Sequence, residues 1–205
     1  MEKTNLPSSY RLEVFSDGVF AIIMTLLILE IRVPDFSGLT GSIMISSLKP
    51  LIPKFISFTI SFFSLAIFWV NHHHFFNHVK HSDWKLLWLN IVFLFFLCII
   101  PFTTAFIGDH PESATVVALY ALNMFCASSV FTFMGYYAFM MARLQDSDLE
   151  DIQIRKELLR GIAGVSTYMA IIAIAFIWRP LALLLLFIIP LLYVAPKFFT
   201  VPGQE

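Results

Sequence analysis

Charge is scarce in this chain. Asp, Glu, Lys and Arg make up 13% of its 205 residues, about half the share of an ordinary soluble domain. The charges that exist sit in short stretches between long apolar runs. That pattern excludes a solvated globular surface and fits a chain whose solvent is lipid. Neither sign dominates: the formal net charge is −1, so no basic surface points to nucleic acid. Cysteine is nearly missing. Cys98 and Cys126 both lie inside apolar runs, where they read as small core residues rather than a disulfide. No internal repeat shows at half the chain length, so an inverted-repeat transporter is not evident. No nucleophile–base pair and no metal motif with a general base stands out, so neither an enzyme nor a bound cofactor is expected.

What is abundant is apolar bulk. Hydrophobic residues make up 59% of the chain, with 23 phenylalanines, and mean hydropathy is +0.82. Six runs approach the roughly 20 residues that cross a bilayer as a helix. They cover about 14–31, 51–74, 86–107, 114–141, 162–178 and 180–194. The expectation is an all-α integral membrane protein, with residues 1–205 forming one domain of six transmembrane helices. The last two runs are short and meet at Arg179-Pro180, which predicts a tight hairpin or, alternatively, one kinked buried segment. Residues 143–160 alternate in charge, with Asp151 and Arg155 four apart and Glu157 and Arg160 three apart. They read as a helical cytoplasmic connector. The polar first ten residues are not a secretory leader, because no small-residue cleavage site follows the first apolar run.

Orientation follows from the basic residues. With the N-terminus inside, the inner segments hold Lys3, Arg11, Lys80, Lys85, Arg143, Arg155, Lys156, Arg160 and Lys197. The outer ones hold Arg32, Lys49, Lys54 and Arg179. Nine against four predicts a multi-pass protein of the cell membrane with both termini cytoplasmic. Trp69, Trp84 and Trp88 fall near span ends, as an aromatic belt places them.

The first run carries the informative polar group. Asp17 enters it within Arg11-Leu-Glu-Val-Phe15-Ser16-Asp17-Gly18, and an intramembrane carboxylate is a functional-site hypothesis by default. At 100° per residue, Gly18, Ile22, Thr25, Leu29 and Val33 form one stripe, apolar except for Thr25. Asp17 falls on another face. It is expected to point into the bundle and to meet Arg11, His72 or Asn90 in a buried network. In the wet interfacial layer it would need no such partners.

Five histidines (His72, His73, His74, His78 and His81) invite a metal reading. His74, His78 and His81 fall at helical spacing, but no glutamate or cysteine nearby completes a known signature. Hydrogen bonding without metal is the simpler expectation. Ser57, Thr59, Ser61 and Ser64 are expected to bond backbone carbonyls or pack helices. Glu30 and Arg32 mark the outer end of the first helix.

These motifs resemble the bacterial branch of the lysosomal potassium channel family known as transmembrane protein 175. The resemblance rests on Arg11 with Phe15-Ser16-Asp17, and on Ile22, Thr25 and Leu29 at the family's pore-lining spacing. It extends to Trp69-x-x-His72, Asn90 and Ile100-Pro101-Phe102-Thr103, where the family usually has leucine before the proline. It covers roughly the first half of the chain. The resemblance implies a channel for potassium over sodium and other monovalent cations, with Ile22, Thr25 and Leu29 lining the pore. Arg11, Ser16, Asp17, His72 and Asn90 then form a structural polar network, and Phe15 and Trp69 pack around the motif. Since animal relatives carry two six-helix repeats and pair as dimers, a single-repeat chain implies a homotetramer. The chain has no Thr-Val-Gly-Tyr-Gly loop and no arginine ladder, so carbonyl selectivity and voltage sensing of the usual kinds are unavailable. A hydrophobic constriction takes the place of a carbonyl filter. The competing expectation is a proton-coupled or metal-ion transporter using Asp17 and the histidines.

Overall fold

A computed structural model describes residues 7–35, 41–145 and 151–199, with side chains undescribed at 42–44 and 191–199. The described residues are helical almost throughout. The helices are α1 (Tyr10–Leu26), α2 (Ser42–Leu48), α3 (Leu51–His78), α4 (Trp84–Cys98), α5 (Ile100–Asp109), α6 (Ala114–Tyr136), α7 (Asp151–Ile177) and α8 (Arg179–Phe199). Five stretches are long and apolar enough to cross a membrane: Tyr10–Glu30, Ile45–His78, Trp84–Asp109, Ala114–Met141 and Asp151–Ile177. The apolar helix Arg179–Pro190 is shorter.

Local chemistry sets the ends. Asp83 caps α4 by accepting from the Leu86 N–H at 2.7 Å, and Ser113 caps α6 through the Val116 N–H. Pro101 lacks an N–H to give to the Leu97 carbonyl, and the run breaks there into α4 and α5. Asn123 donates to the Phe96 carbonyl at 3.1 Å beside the break. The C-terminus of α6 loosens into a π-turn, Tyr137–Met141. Arg143 follows with φ 49°, the left-handed residue that commonly ends a helix.

Two departures from the expected spans matter. Residues expected as connector and residues expected as fifth span lie on one helix, α7, unbroken from Asp151 to Ile177. Residues 146–150 of the expected connector lie outside the described residues. In addition, α1 does not stay α-helical to its end: Leu27–Glu30 form a 3-10 turn. Between α7 and α8 only Trp178 is non-helical, and the two helices are in contact.

The main core joins Phe20, Ile23 and Leu27 of the first segment to Leu65, Phe93, Met124, Ile171 and Leu186. A smaller cluster around Phe76, Val79, Leu86, Met134 and Leu144 closes the end where α3 meets α4. There the chain before α1 pairs with the α3–α4 link. Ser9 N–H donates to the Lys80 carbonyl at 3.1 Å, and Ser82 N–H to the Pro7 carbonyl at 2.8 Å. Buried hydroxyls tie the opposite half: Ser61 lies 2.6 Å from Thr104 Oγ1 and 3.0 Å from Tyr120 Oη. Gly108 lets α5 approach α3 closely, since a Cβ there would lie 3.2 Å from Lys54 Cα.

Candidate functional site on the first helix

Helix α1 has two unlike faces. Ser16, Phe20, Ile23 and Leu27 recur at i, i+4, i+7 and i+11 and are buried. That spacing is one stripe of a helix, and it packs against α3, α4 and α5. The opposite face is uncovered by the chain itself. Ile22 is 60% exposed and Leu29 67% exposed, and Gly18 and Thr25 between and beside them are exposed too. The Thr25 hydroxyl lies within reach of the Ile22 carbonyl at 2.8 Å and the Ala21 carbonyl at 3.1 Å. Its proton is thereby spent on the helix, and its lone pairs face outward.

The buried face is held by a directed chain of hydrogen bonds. Asn90 Nδ2 donates to Ser16 Oγ at 2.9 Å, and Ser16 Oγ donates to the Leu12 carbonyl at 2.8 Å. Because the Asn90 amide nitrogen is committed, its Oδ1 is the acceptor facing His72 Nε2 at 3.0 Å. His72 must therefore carry its proton on Nε2. Its ring is fully buried among Phe20, Phe76, Phe93 and Phe131. Three helices are joined this way at one level.

Asp17 lies outside this chain. Its Oδ1 accepts the Trp69 indole N–H at 2.9 Å, on the half-exposed seam between α1 and α3. Arg11, expected as a partner, is exposed and makes no recorded bond to Asp17. One position on a helix faces one azimuth, so Ser16 and Asp17, 100° apart, cannot serve the same neighbour. One turn before Asp17, Glu13 lies 3.5 Å from His73 Nδ1, and His73 stacks on Trp69. Reading the motif at i−4 from Asp17 and i+4 from Trp69 reaches Glu13, which the sequence argument passed over, and His73. Phe15 is exposed.

The histidines do not form a cluster. Helix α3 stops at His78, and His81 sits in an extended pairing with Ser8, so the helical spacing to His81 is broken. Among the described residues no three of His, Cys, Asp and Glu come together as a metal site requires.

The profile of the family described as "Endosomal/lysosomal potassium channel TMEM175" matches residues 11–101, the part of the chain that builds this site. A potassium channel from Chamaesiphon minutus is 34% identical over 172 residues, which cover 82% of this chain and 84% of that one. The chain belongs to the TMEM175 family. A crystal structure titled as a lysosomal potassium-selective channel TMEM175 homolog from the same organism superposes with a TM-score of 0.81 at 30% identity. The match covers 94% of this chain and 98% of that one. A potassium channel from Chryseobacterium sp. is 38% identical over 60% of each chain. The mouse protein named endosomal/lysosomal proton channel TMEM175 is 36% identical over 138 residues, and the match spans only 27% of that longer protein. The TMEM175 family consists of ion channels, so this multi-pass membrane chain is a channel protein and not an enzyme.

Proposed function

We propose that the chain is a potassium channel selective over sodium, assembled as a homotetramer with α1 of each subunit on the axis. One observation carries this reading. The face of α1 opposite its packed side is left bare by the rest of the chain, and the row Gly18, Ile22, Thr25 and Leu29 runs along its middle. One such helix cannot enclose a pore, whereas a closed ring of identical subunits can. On this reading six spans cross the cell membrane, α8 being the sixth, and both termini are cytoplasmic.

Rings of Ile22 and Leu29 then form the constriction, with Thr25 as a polar ring between them. A hydrophobic constriction controls permeation through dewetting. Potassium sheds its water more readily than sodium and passes such a ring at lower cost. Ser16, Asn90 and His72, with Asp17 and Trp69 beside them, hold α1 at a fixed rotation, so the stripe keeps facing the axis. Flux in liposomes tests this: potassium should move down its gradient, faster than sodium, without a proton gradient. Flux that needs a proton gradient would instead support the coupled-transporter reading. A proton arm of the assay is required by the name of the mouse relative, since a wetted constriction passes protons as well.

A further inference from the structure

A second feature lies away from α1. Helices α3, α6, α7 and α8 line an open cavity of about 620 Å³, within the range that takes a drug-sized or lipid-sized molecule. Its walls mix the rings of Phe68 and Phe75 from α3, and Phe131 and Phe139 from α6 or the turn after it, with polar side chains such as Ser128 and Thr167. It begins at Ser64 and Tyr168 and reaches His78, Glu157 and Arg160.

We propose that this cavity holds one acyl chain of an anionic phospholipid, with the headgroup phosphate at Arg160. Length argues for it. From Arg160 to Tyr168 the lining of α7 spans eight residues, about 12 Å at helical rise. That is most of the depth of one leaflet, half of a hydrocarbon core about 30 Å thick. The walls argue for an acyl chain, because the surface they present is mainly apolar. Charge argues for the headgroup. At the mouth Arg160 lines the cavity beside Glu157, and Arg155 and Lys156, nearby on α7 but outside the lining, add positive charge. Glu157 holds Arg160 Nη1 at 2.6 Å, which leaves the other guanidinium donors for a phosphate. His74 and His78 line the cavity from α3. Basic pockets between membrane helices take anionic headgroups in this way.

Gly164 supplies the test. It lines the cavity, and a Cβ built on it meets nothing within 4 Å. An added Cβ there enters open space, a longer side chain extends into the cavity, and helix propensity favours the change. The full chain, delipidated in detergent, is titrated with phosphatidylglycerol or phosphatidylcholine and read by native mass spectrometry. Wild type and Gly164→Ala should take phosphatidylglycerol in preference. Gly164→Leu should bind it roughly tenfold more weakly, and Arg160→Gln should lose a similar factor of preference for the anionic lipid. Undiminished binding by Gly164→Leu, or an undiminished anionic preference in Arg160→Gln, overturns the proposal. Should Gly164→Leu fail to fold, the Arg160→Gln comparison decides alone. Lipid binding is read without ion flux, so its failure and that of the channel reading are separable.

Discussion

Trp69 gives its indole N–H to Asp17 Oδ1 across 2.9 Å, and this bond joins α1 to α3 on the seam beside the uncovered stripe. A carboxylate at such a depth is costly unless bonded. Trp69→Phe should therefore weaken the assembled protein while leaving its ion preference alone. Interhelical bonds in membrane proteins contribute about 0.6 kcal/mol on average and up to about 1.7, and an acceptor left unpaired adds to that loss. Thermal melting followed by size-exclusion chromatography reads the change. Asp17→Ala, which removes the acceptor, should behave similarly; an intact oligomer with altered selectivity would place Asp17 in the ion path.

Ile22→Asn and Leu29→Ala should each reduce discrimination against sodium. The first wets the proposed constriction and the second widens it. Reversal potentials under bi-ionic conditions measure the shift. Unchanged values in both variants would locate the narrow point elsewhere.

Asn90→Leu should be more damaging than Ser16→Ala. Losing Asn90 strands the His72 Nε2–H and removes the donor to Ser16 Oγ, which keeps its own bond to the Leu12 carbonyl, whereas losing Ser16 strands one amide proton and leaves the His72 bond in place. Each buried unsatisfied group costs about 1–3 kcal/mol. Equal melting temperatures for the two variants would show that the chain of bonds is not shared in this way.

Gly161→Ala should destabilise the α6–α7 contact, because the added Cβ would lie 2.7 Å from Thr132 Oγ1 and 2.9 Å from Thr132 Cγ2. Thr132→Ala removes both atoms, so the double variant should regain most of the lost stability. A double-mutant cycle on melting temperature quantifies the coupling. No recovery would mean the close approach is set by backbone rather than by Thr132.

Much of this was legible in the chain before any coordinates. Apolar runs gave the helices, since hydropathy sums over about twenty residues and needs no partner. The Phe15-Ser16-Asp17 motif pointed to α1, and a helical wheel separated the stripe from Asp17. The identity of hydrogen-bond partners was not legible. Whether Asn90 meets Ser16 or Asp17 depends on how α1 is rotated against α4, and periodicity does not encode that. The hydroxyl group of Ser61, Thr104 and Tyr120 was hidden for the same reason: its members come from three separate runs. The length of α7 was missed because charged residues 151–160 break the hydropathy window without breaking the helix.

The wheel also assumed one pitch from end to end. Over Leu27–Glu30 the 3-10 turn advances about 120° and 2.0 Å per residue, against 100° and 1.5 Å in an α-helix. Leu29 therefore stands about 60° round from its expected azimuth, yet still on the bare side. The last turn of α1 works as a screw thread. Rewinding those four residues to α pitch would draw Glu30 back by about 2 Å and swing Leu29 sideways in the same motion. Height and azimuth are locked together there, and neither can change without the other.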